Sequence, residues 1–154
     1  MSDEEPAYVM FKIDGFESLL SMLHETFGSG GDAIIYNMSK QYGETVIHSR
    51  LPEIPSDPKQ RSTILATLSD QFESQGWGRL SLEEIDMEQG LAKVELKNNP
   101  FKGCTGPDEY PVCYFIRGTI AGILSAIFGV DMRVNDVDCS EKDNGVCRFL
   151  YEFD

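Results

Sequence analysis

Long apolar runs are missing from this sequence of 154 residues, so no segment is predicted to span a membrane. Basic residues are scarce as well, since 13 Lys and Arg stand against 26 Asp and Glu, a formal net charge of -13. So acidic a surface repels nucleic-acid phosphates and anionic lipids. The first residues, MSDEEP, are the opposite of a signal or transit peptide. We therefore expect a cytoplasmic protein that binds neither nucleic acid nor membrane.

Motifs typical of common enzymes and nucleotide sites are also missing. The sequence contains no GxxxxGK[ST], GxGxxG, GxSxG or HExxH pattern, and nothing that predicts a flavin or nicotinamide site. Only two histidines are present, and we interpret both, His24 and His48, as helix-surface or interface residues. The sequence favours a binding module over an enzyme.

The hydrophobic pattern predicts one α+β domain over 8–154, preceded by a flexible acidic tail over 1–7. Glycines at 28–31 are predicted to end the first helix, Asp32 to cap the second, and Pro58 to begin the third. The predicted order is a strand over 8–13, helices over 16–27, 32–49 and 57–72, a hairpin over 78–96, a helix over 110–128 and a hairpin over 132–153. This order indicates an antiparallel sheet with helices packed on one face.

Cysteine is absent from the first two thirds of the chain, and all four cysteines lie in the last third. In a reducing compartment, such clustering suggests metal or redox chemistry sooner than a disulfide framework. Cys139 and Cys147 bracket the last predicted hairpin, Asp136 lies three residues before Cys139, and Cys113 lies in the first turn of a helix. Three thiolates and a carboxylate suit tetrahedral zinc, with Cys104 as a substitute fourth ligand. Small buried hydrophobes and a redox disulfide remain open as alternatives.

The last 40 residues carry a more specific pattern. A helix with the sequence Arg117-Gly118-Thr119-Ile120-Ala121-Gly122 is followed by Gly129 and by the motif D-x-x-C-x7-C-x-F, which runs from Asp136 to Phe149. In these features, residues 113–153 resemble the 4-vinyl-reductase domain family. The earlier helices and the first hairpin agree with that family in order and length.

The resemblance implies a small-molecule sensor. Members of this family form the effector domain of phenol- and xylene-responsive transcription activators, act in bacteriochlorophyll synthesis, and occur as stand-alone archaeal proteins. Their fold is shared with a Golgi transport-particle subunit that holds an acyl chain, and they commonly dimerise. The resemblance therefore implies a homodimer that binds a small apolar molecule.

The resemblance also implies a structural zinc site and an apolar pocket. The family's zinc ligands fall on Cys113, Asp136, Cys139 and Cys147, although the acidic ligand is Glu in the family, and the shorter Asp leaves room for Cys104. The family's His and Trp anchors have no counterpart here, since Trp77 lies in a predicted turn, and this argues against phenol as the ligand. The residues predicted to line the pocket, each of which could instead be plain core, are Phe16, Tyr36, Tyr42, Phe115 and Phe128.

Three functions follow from the sequence. The leading hypothesis is a zinc-stabilised domain that binds a hydrocarbon, aromatic or acyl molecule as a sensor or carrier. The second is a thiol redox sensor, in which an oxidant ejects the metal and pairs Cys139 with Cys147 or Cys113. A reductase ranks last, because no predicted cofactor site would supply a hydride.

Overall fold

The computed structural model describes residues 7–100, 111–139 and 146–154, except for the side chains of Pro111, Val112 and Cys139. Four helices and four strands lie in these ranges. In chain order they are α1 (Ile13–Phe27), α2 (Ser29–Arg50), α3 (Pro58–Ser74), β1 (Arg79–Asp86), β2 (Leu91–Lys97), α4 (Pro111–Phe128), β3 (Arg133–Cys139) and β4 (Cys147–Glu152).

The strands form one antiparallel sheet in the order β1-β2-β4-β3, which confirms the predicted α+β class. One face of the sheet is apolar and buried, and its central strands contribute Ala92, Val94, Leu96, Cys147, Phe149 and Tyr151. The opposite face is polar, with a Lys93–Glu84 ion pair of 2.7 Å. Because only one face is apolar, the helices cover only that face.

Helix α4 is the centre of the core and crosses α2 at very short range. Gly118 and Gly122 of α4 meet α2 directly, and a Cβ atom at either position would overlap the backbone of Tyr36 or Lys40. Gly43 of α2 lies equally close to α4, because a Cβ atom there would overlap the carbonyl of Thr119. The small residues of α4 therefore allow the two helices to cross this closely.

The predicted strand over 8–13 is wrong. Residues 7–12 belong to no ladder, and α1 begins at Ile13. The side chains of residues 8–11 are between 61% and 93% exposed. β-Branched and aromatic residues favour a strand only where their side chains pack on a half-buried sheet. Within the described residues no strand pairs with this segment, so it forms none.

The predicted N-cap at Asp32 is also wrong. Helix α2 begins at Ser29, directly after Gly28, whose φ of 57° alone separates α1 from α2. Asp32 thus lies inside the first turn and is buried, with its Oδ1 atom 2.8 Å from Nδ1 of His24. Because the connection is so short, the two helices lie close together, and Asp32 contacts α1 instead of capping α2.

The other predicted elements are present, with ends shifted by a few residues. Pro58 occupies the first turn of α3, and the turn of the first hairpin ends at Gly90, whose φ is 68°. Residues 101–110, which connect the first hairpin to α4, and residues 140–145, which belong to the predicted hairpin over 132–153, lie outside the described residues. No helix in the described ranges is both long and apolar enough to cross a bilayer.

Candidate functional site

An aromatic cluster surrounds Phe115, a buried residue near the start of α4. The ring of Phe16 meets it edge-on, with 4.8 Å between centroids. The ring of Trp77 stacks on it at 5.9 Å with an interplanar angle of 20°, and the ring of Tyr42 lies 6.4 Å away. Two helices, α1 and α2, and the α3–β1 connection thus place rings around one side chain of α4. Edge-on and stacked arrangements are the ones that aromatic pairs prefer.

Trp77 reaches the cluster through the shape of the connection between α3 and β1. Its backbone N–H donates to the carbonyl of Phe72 at 2.9 Å, and its ring lies 5.6 Å from the Phe72 ring. The flanking glycines Gly76 and Gly78 adopt φ values of 85° and 92°, which other residues rarely adopt. Sequence reasoning correctly placed Trp77 in a turn but missed its role. The signal was an aromatic residue between two glycines at a helix-to-strand junction.

The cluster is open on the side of the N-terminal segment. Tyr42 is about half exposed, and Phe11, which is 61% exposed, lies 5.9 Å from the ring of Phe16. The Tyr8 hydroxyl accepts a hydrogen bond of 3.4 Å from Nη2 of Arg50 at the end of α2. We call Phe11, Phe16, Tyr42, Phe72, Trp77 and Phe115 the aromatic cluster.

Two of the five predicted pocket residues contact other parts of the core. The Tyr36 hydroxyl accepts a hydrogen bond of 3.3 Å from the N–H of Val134. Phe128, at the end of α4, lies under the guanidinium of Arg61 at 5.7 Å. The structure therefore brings Phe16, Tyr42 and Phe115 into ring contact, whereas Tyr36 and Phe128 join other neighbours.

Two of the four cysteines lie side by side in the sheet. Cys139 and Cys147 are directly opposite partners in the β3–β4 ladder. Cys147 and Cys113 are both buried, and Nδ2 of Asn99 lies 3.6 Å from Sγ of Cys147. The Cys139 side chain and all of Cys104 lie outside the described residues.

A hydrogen bond joins α4 to β4. The Tyr151 hydroxyl donates to the carbonyl of Arg117 at 3.0 Å. The guanidinium of Arg117 covers the Tyr114 ring at 4.9 Å. Helix α4, which carries Cys113, therefore contacts the strand that carries Cys147.

Asp136 differs from the predicted cysteine ligands in its placement. Its side chain is exposed, and its Oδ1 accepts a hydrogen bond of 2.9 Å from the N–H of Val137. It pairs with Leu150, which lies on the opposite face of β4 from Cys147, because strand side chains alternate. Within the described ranges, no three His, Cys, Asp or Glu side chains gather into a metal-binding group. The four-ligand zinc site stays a prediction.

Neither histidine belongs to the aromatic cluster or contacts a cysteine in the described residues. His24 contacts Asp32 between α1 and α2, and His48 is exposed near the end of α2.

The fold and the aromatic cluster define an α+β domain in which aromatic side chains of the helices and of the α3–β1 connection surround Phe115. The sequence profile of the 4-vinyl-reductase domain matches residues 92–153. The resemblance to that family is thereby confirmed. No curated protein matches the chain.

Solved structures share the whole fold at low identity. The phenol-responsive sensory domain of the transcription activator PoxR, with phenol, has a TM-score of 0.70 at 15% identity over 97% of this chain and 78% of that chain. A vinyl-4-reductase family protein from Methanocaldococcus jannaschii has a TM-score of 0.60 at 19% identity over 96% of this chain and 84% of that chain.

A third similar structure is trafficking protein particle complex subunit 3 from Naegleria fowleri, covalently bound to palmitic acid. Its TM-score is 0.63 at 13% identity, and the match covers 92% of both chains. The predicted fold, shared with a transport-particle subunit, is confirmed.

Proposed function

We propose that this chain is a binding domain for a small apolar molecule and acts as a sensor or carrier. The observation that carries the proposal is the aromatic cluster around Phe115, which is apolar and open on one side. The fold supports the proposal, because one similar structure is a sensory domain with phenol and another is bound to palmitic acid.

The chemistry of the cluster indicates how such a molecule is held. Removing an apolar ligand from water supplies most of the affinity, and the ring faces of Trp77 and Phe115 supply shape. No side chain of the aromatic cluster carries a charge, so it provides no ionic partner for an anionic group. The Tyr42 hydroxyl is a polar group at the open side. A neutral aromatic ring or an alkyl chain therefore suits the site.

Trp77 provides the test, because it is the only tryptophan in the chain. We expect the neutral probes toluene or 1-decanol to change its fluorescence in a saturable way. The same probe should raise the melting temperature with the logarithm of its concentration, since it binds only the folded state. If neither probe changes the fluorescence or the melting temperature, the proposal is wrong.

Two matched variants localise the site. Phe16→Leu removes a ring that touches Phe115, whereas Phe128→Leu removes a ring that lies against Arg61. An aromatic contact is worth about 0.5–1.5 kcal/mol, so Phe16→Leu should weaken probe binding by about two- to tenfold. Phe128→Leu should leave it unchanged. Equal losses in both variants would place the ligand elsewhere in the core.

We also propose a structural zinc bound by Cys113, Cys139 and Cys147. Opposite partners in an antiparallel ladder lie close enough to share a metal ion, and the contact of α4 with β4 is compatible with Cys113 as the third thiol. Burial of Cys113 and Cys147 suits a closed site. When bound, zinc would cross-link the last hairpin to α4. The exposure of Asp136 favours Cys104 as the fourth ligand.

Metal analysis tests this ligand set. Purified protein should contain about one zinc per chain, and Cys147→Ser should lose it together with several degrees of melting temperature. Cys104→Ser should lower zinc affinity, whereas Asp136→Ala should not. If Asp136→Ala lowers zinc affinity and Cys104→Ser does not, Asp136 is the fourth ligand. Purified protein that contains no metal and has normal stability would contradict the site.

The direct pairing of Cys139 with Cys147 also favours the redox alternative. Opposite residues in an antiparallel pair lie at Cα separations that a disulfide can bridge. Two thiols would give one disulfide while hydrogen peroxide takes up their two electrons and two protons and becomes two water molecules. Zinc release at low peroxide concentration, with no response to either probe, would favour this function over ligand binding.

A further inference from the structure

The side-chain amide of Asn99 lies against the sulfur atom of Cys147, although 48 residues separate the two in the chain. Its Nδ2 atom donates a hydrogen bond of 3.6 Å to Sγ of Cys147. Asn99 is half-buried, and Cys147 is only 2% exposed. Because water has little access to this sulfur, the amide supplies a hydrogen bond that solvent cannot readily provide.

The backbone at the end of β2 directs the amide to this position. Leu96 pairs with Cys147 in the β2–β4 ladder, and β2 ends one residue later. Asn98 then adopts a φ of 56°, a left-handed conformation that asparagine tolerates better than most residues. The chain passes so close to Gly78 that a Cβ atom there would overlap the carbonyl of the last residue of β2. An uncommon backbone conformation is thus kept at the residue directly before the donor.

A hydrogen bond to this sulfur becomes stronger when the thiol is a metal ligand. A metal-bound cysteine is a thiolate, which accepts hydrogen bonds and donates none. A hydrogen bond to an ionised acceptor is roughly twice as strong as one between neutral groups. Three thiolates and a fourth anionic ligand carry more negative charge than one zinc ion neutralises, and the chain adds a net charge of -13. An N–H donor at the sulfur offsets part of this excess.

We propose that Asn99 is a positioning residue of the zinc site. Its amide holds the thiolate of Cys147 in the orientation that binds the metal and draws electron density from the sulfur. This role rests on the zinc site proposed above and adds a residue outside the ligand set. Groups that hydrogen-bond to metal ligands contribute about ten- to hundredfold to metal affinity. Because Asn99 forms no bond to the metal, the site should still assemble without it, but more weakly.

Zinc affinity, measured in competition with EDTA, tests the role of the amide. Asn99→Leu and Asn99→Ala both remove the donor, and Asn99→Leu should bind zinc about tenfold more weakly than the wild type. Asn98→Gly is the matched control, because it removes the neighbouring amide and glycine adopts a φ of 56° without strain. It should bind zinc as tightly as the wild type. Unchanged affinity in Asn99→Leu and Asn99→Ala overturns the proposal.

The absorption spectrum of the cobalt-loaded protein reports the hydrogen bond directly. Cobalt(II) can take the place of zinc among thiolates, and its sulfur-to-metal charge-transfer band moves to lower energy when a thiolate becomes more electron-rich. Asn99→Leu should therefore move the band to longer wavelength, whereas Asn98→Gly should leave it in place. A residue that only packed against the hairpin would not move the band. An unchanged band in Asn99→Leu overturns the proposal.

Thermal unfolding with and without metal separates positioning from packing. After zinc has been removed with EDTA, Asn99→Leu and the wild type should melt at nearly the same temperature. With zinc present the variant should melt lower, because weaker metal binding adds less stability to the folded state. An equal loss in both states would make Asn99 a packing residue and overturn the proposal.

Failure of the zinc site and failure of the role of Asn99 give different results. A wild type that takes up neither zinc nor cobalt would contradict the zinc site, and the role of Asn99 would fall with it. A wild type that binds zinc no more tightly than Asn99→Leu would leave the zinc site standing and overturn only the role of Asn99.

Discussion

The two sides of α2 show how one helix carries two kinds of surface. The side toward α4 consists of small and aliphatic residues, with Ser39 and Gly43 at the crossing. The outer side carries Ile34, Met38 and Tyr42, which are larger and exposed. Close packing on the inner side leaves no space for an added atom. On the outer side, each of these three side chains is about half exposed, so the packing there is looser.

This difference separates the side of α2 that holds the fold from the side that faces solvent. Substitutions on the inner side should change the free energy of unfolding. Substitutions on the outer side should leave that free energy nearly unchanged. Each prediction below pairs a contact made by α2 or α4 with a control variant or with a condition that removes the contact.

The largest effect is expected at the helix crossing. Gly122→Ala places a methyl group against backbone atoms of α2 that cannot move separately, and we expect a loss of about 3 kcal/mol in the free energy of unfolding. Gly30→Ala is the control, because a Cβ atom there meets nothing within 4 Å. Urea unfolding of both variants measures the difference. A loss below about 1 kcal/mol for Gly122→Ala would mean that the crossing is looser than described.

A smaller effect is expected at Ser39. Its buried hydroxyl donates to the carbonyl of Tyr36 at 2.9 Å, so Ser39→Ala should cost about 1 kcal/mol. On the outer side, Asn37 makes a comparable bond of 2.8 Å to the carbonyl of Ala33, but in water. Asn37→Ala should therefore cost less than about 0.5 kcal/mol, measured by thermal unfolding. Equal costs would show that burial does not separate the two sides.

The smallest effect concerns the exposed pair of Lys40 and Asp131. The hydrogen bond from the Lys40 ammonium lowers the pKa of the Asp131 carboxyl. A lowered pKa in the folded state gives stability that is present above the ordinary pKa of the carboxyl and is lost as the pH falls through the lowered value. Asp131→Asn should therefore cost less than about 1 kcal/mol at neutral pH and nothing in strong acid. A cost that is the same at both pH values would exclude the ion pair as its cause.

Elements with a strong period were predictable, and contacts between elements were not. Apolar spacing located α1, α3 and α4, and the alternation of Cys147, Phe149 and Tyr151 located β4. Trp77 was assigned to a turn, which is correct, but its contact with Phe115 depends on how α3, β1 and α4 come together. No local sequence pattern predicts a contact between two residues as far apart in the chain as Trp77 and Phe115.

The zinc and pocket predictions show the same limit. Sequence spacing suggested that Cys139 and Cys147 pair, and the ladder register agrees. The family resemblance grouped Tyr36 and Phe128 with Phe115 as pocket residues, and that grouping stays a prediction. In the structure, Tyr36 contacts Val134, and Phe128 contacts Arg61.

By itself, the sequence determined the α+β class, most helices and strands, the acidic charge and the family resemblance, because each depends on local pattern or composition. Only the tertiary structure decided that residues 8–11 form no strand, that Asp32 faces His24, and that Trp77 joins the aromatic cluster. These outcomes depend on which neighbours distant segments supply. A β-rich segment becomes a strand only beside another strand, and Asp32 is not a cap because α2 already begins at Ser29.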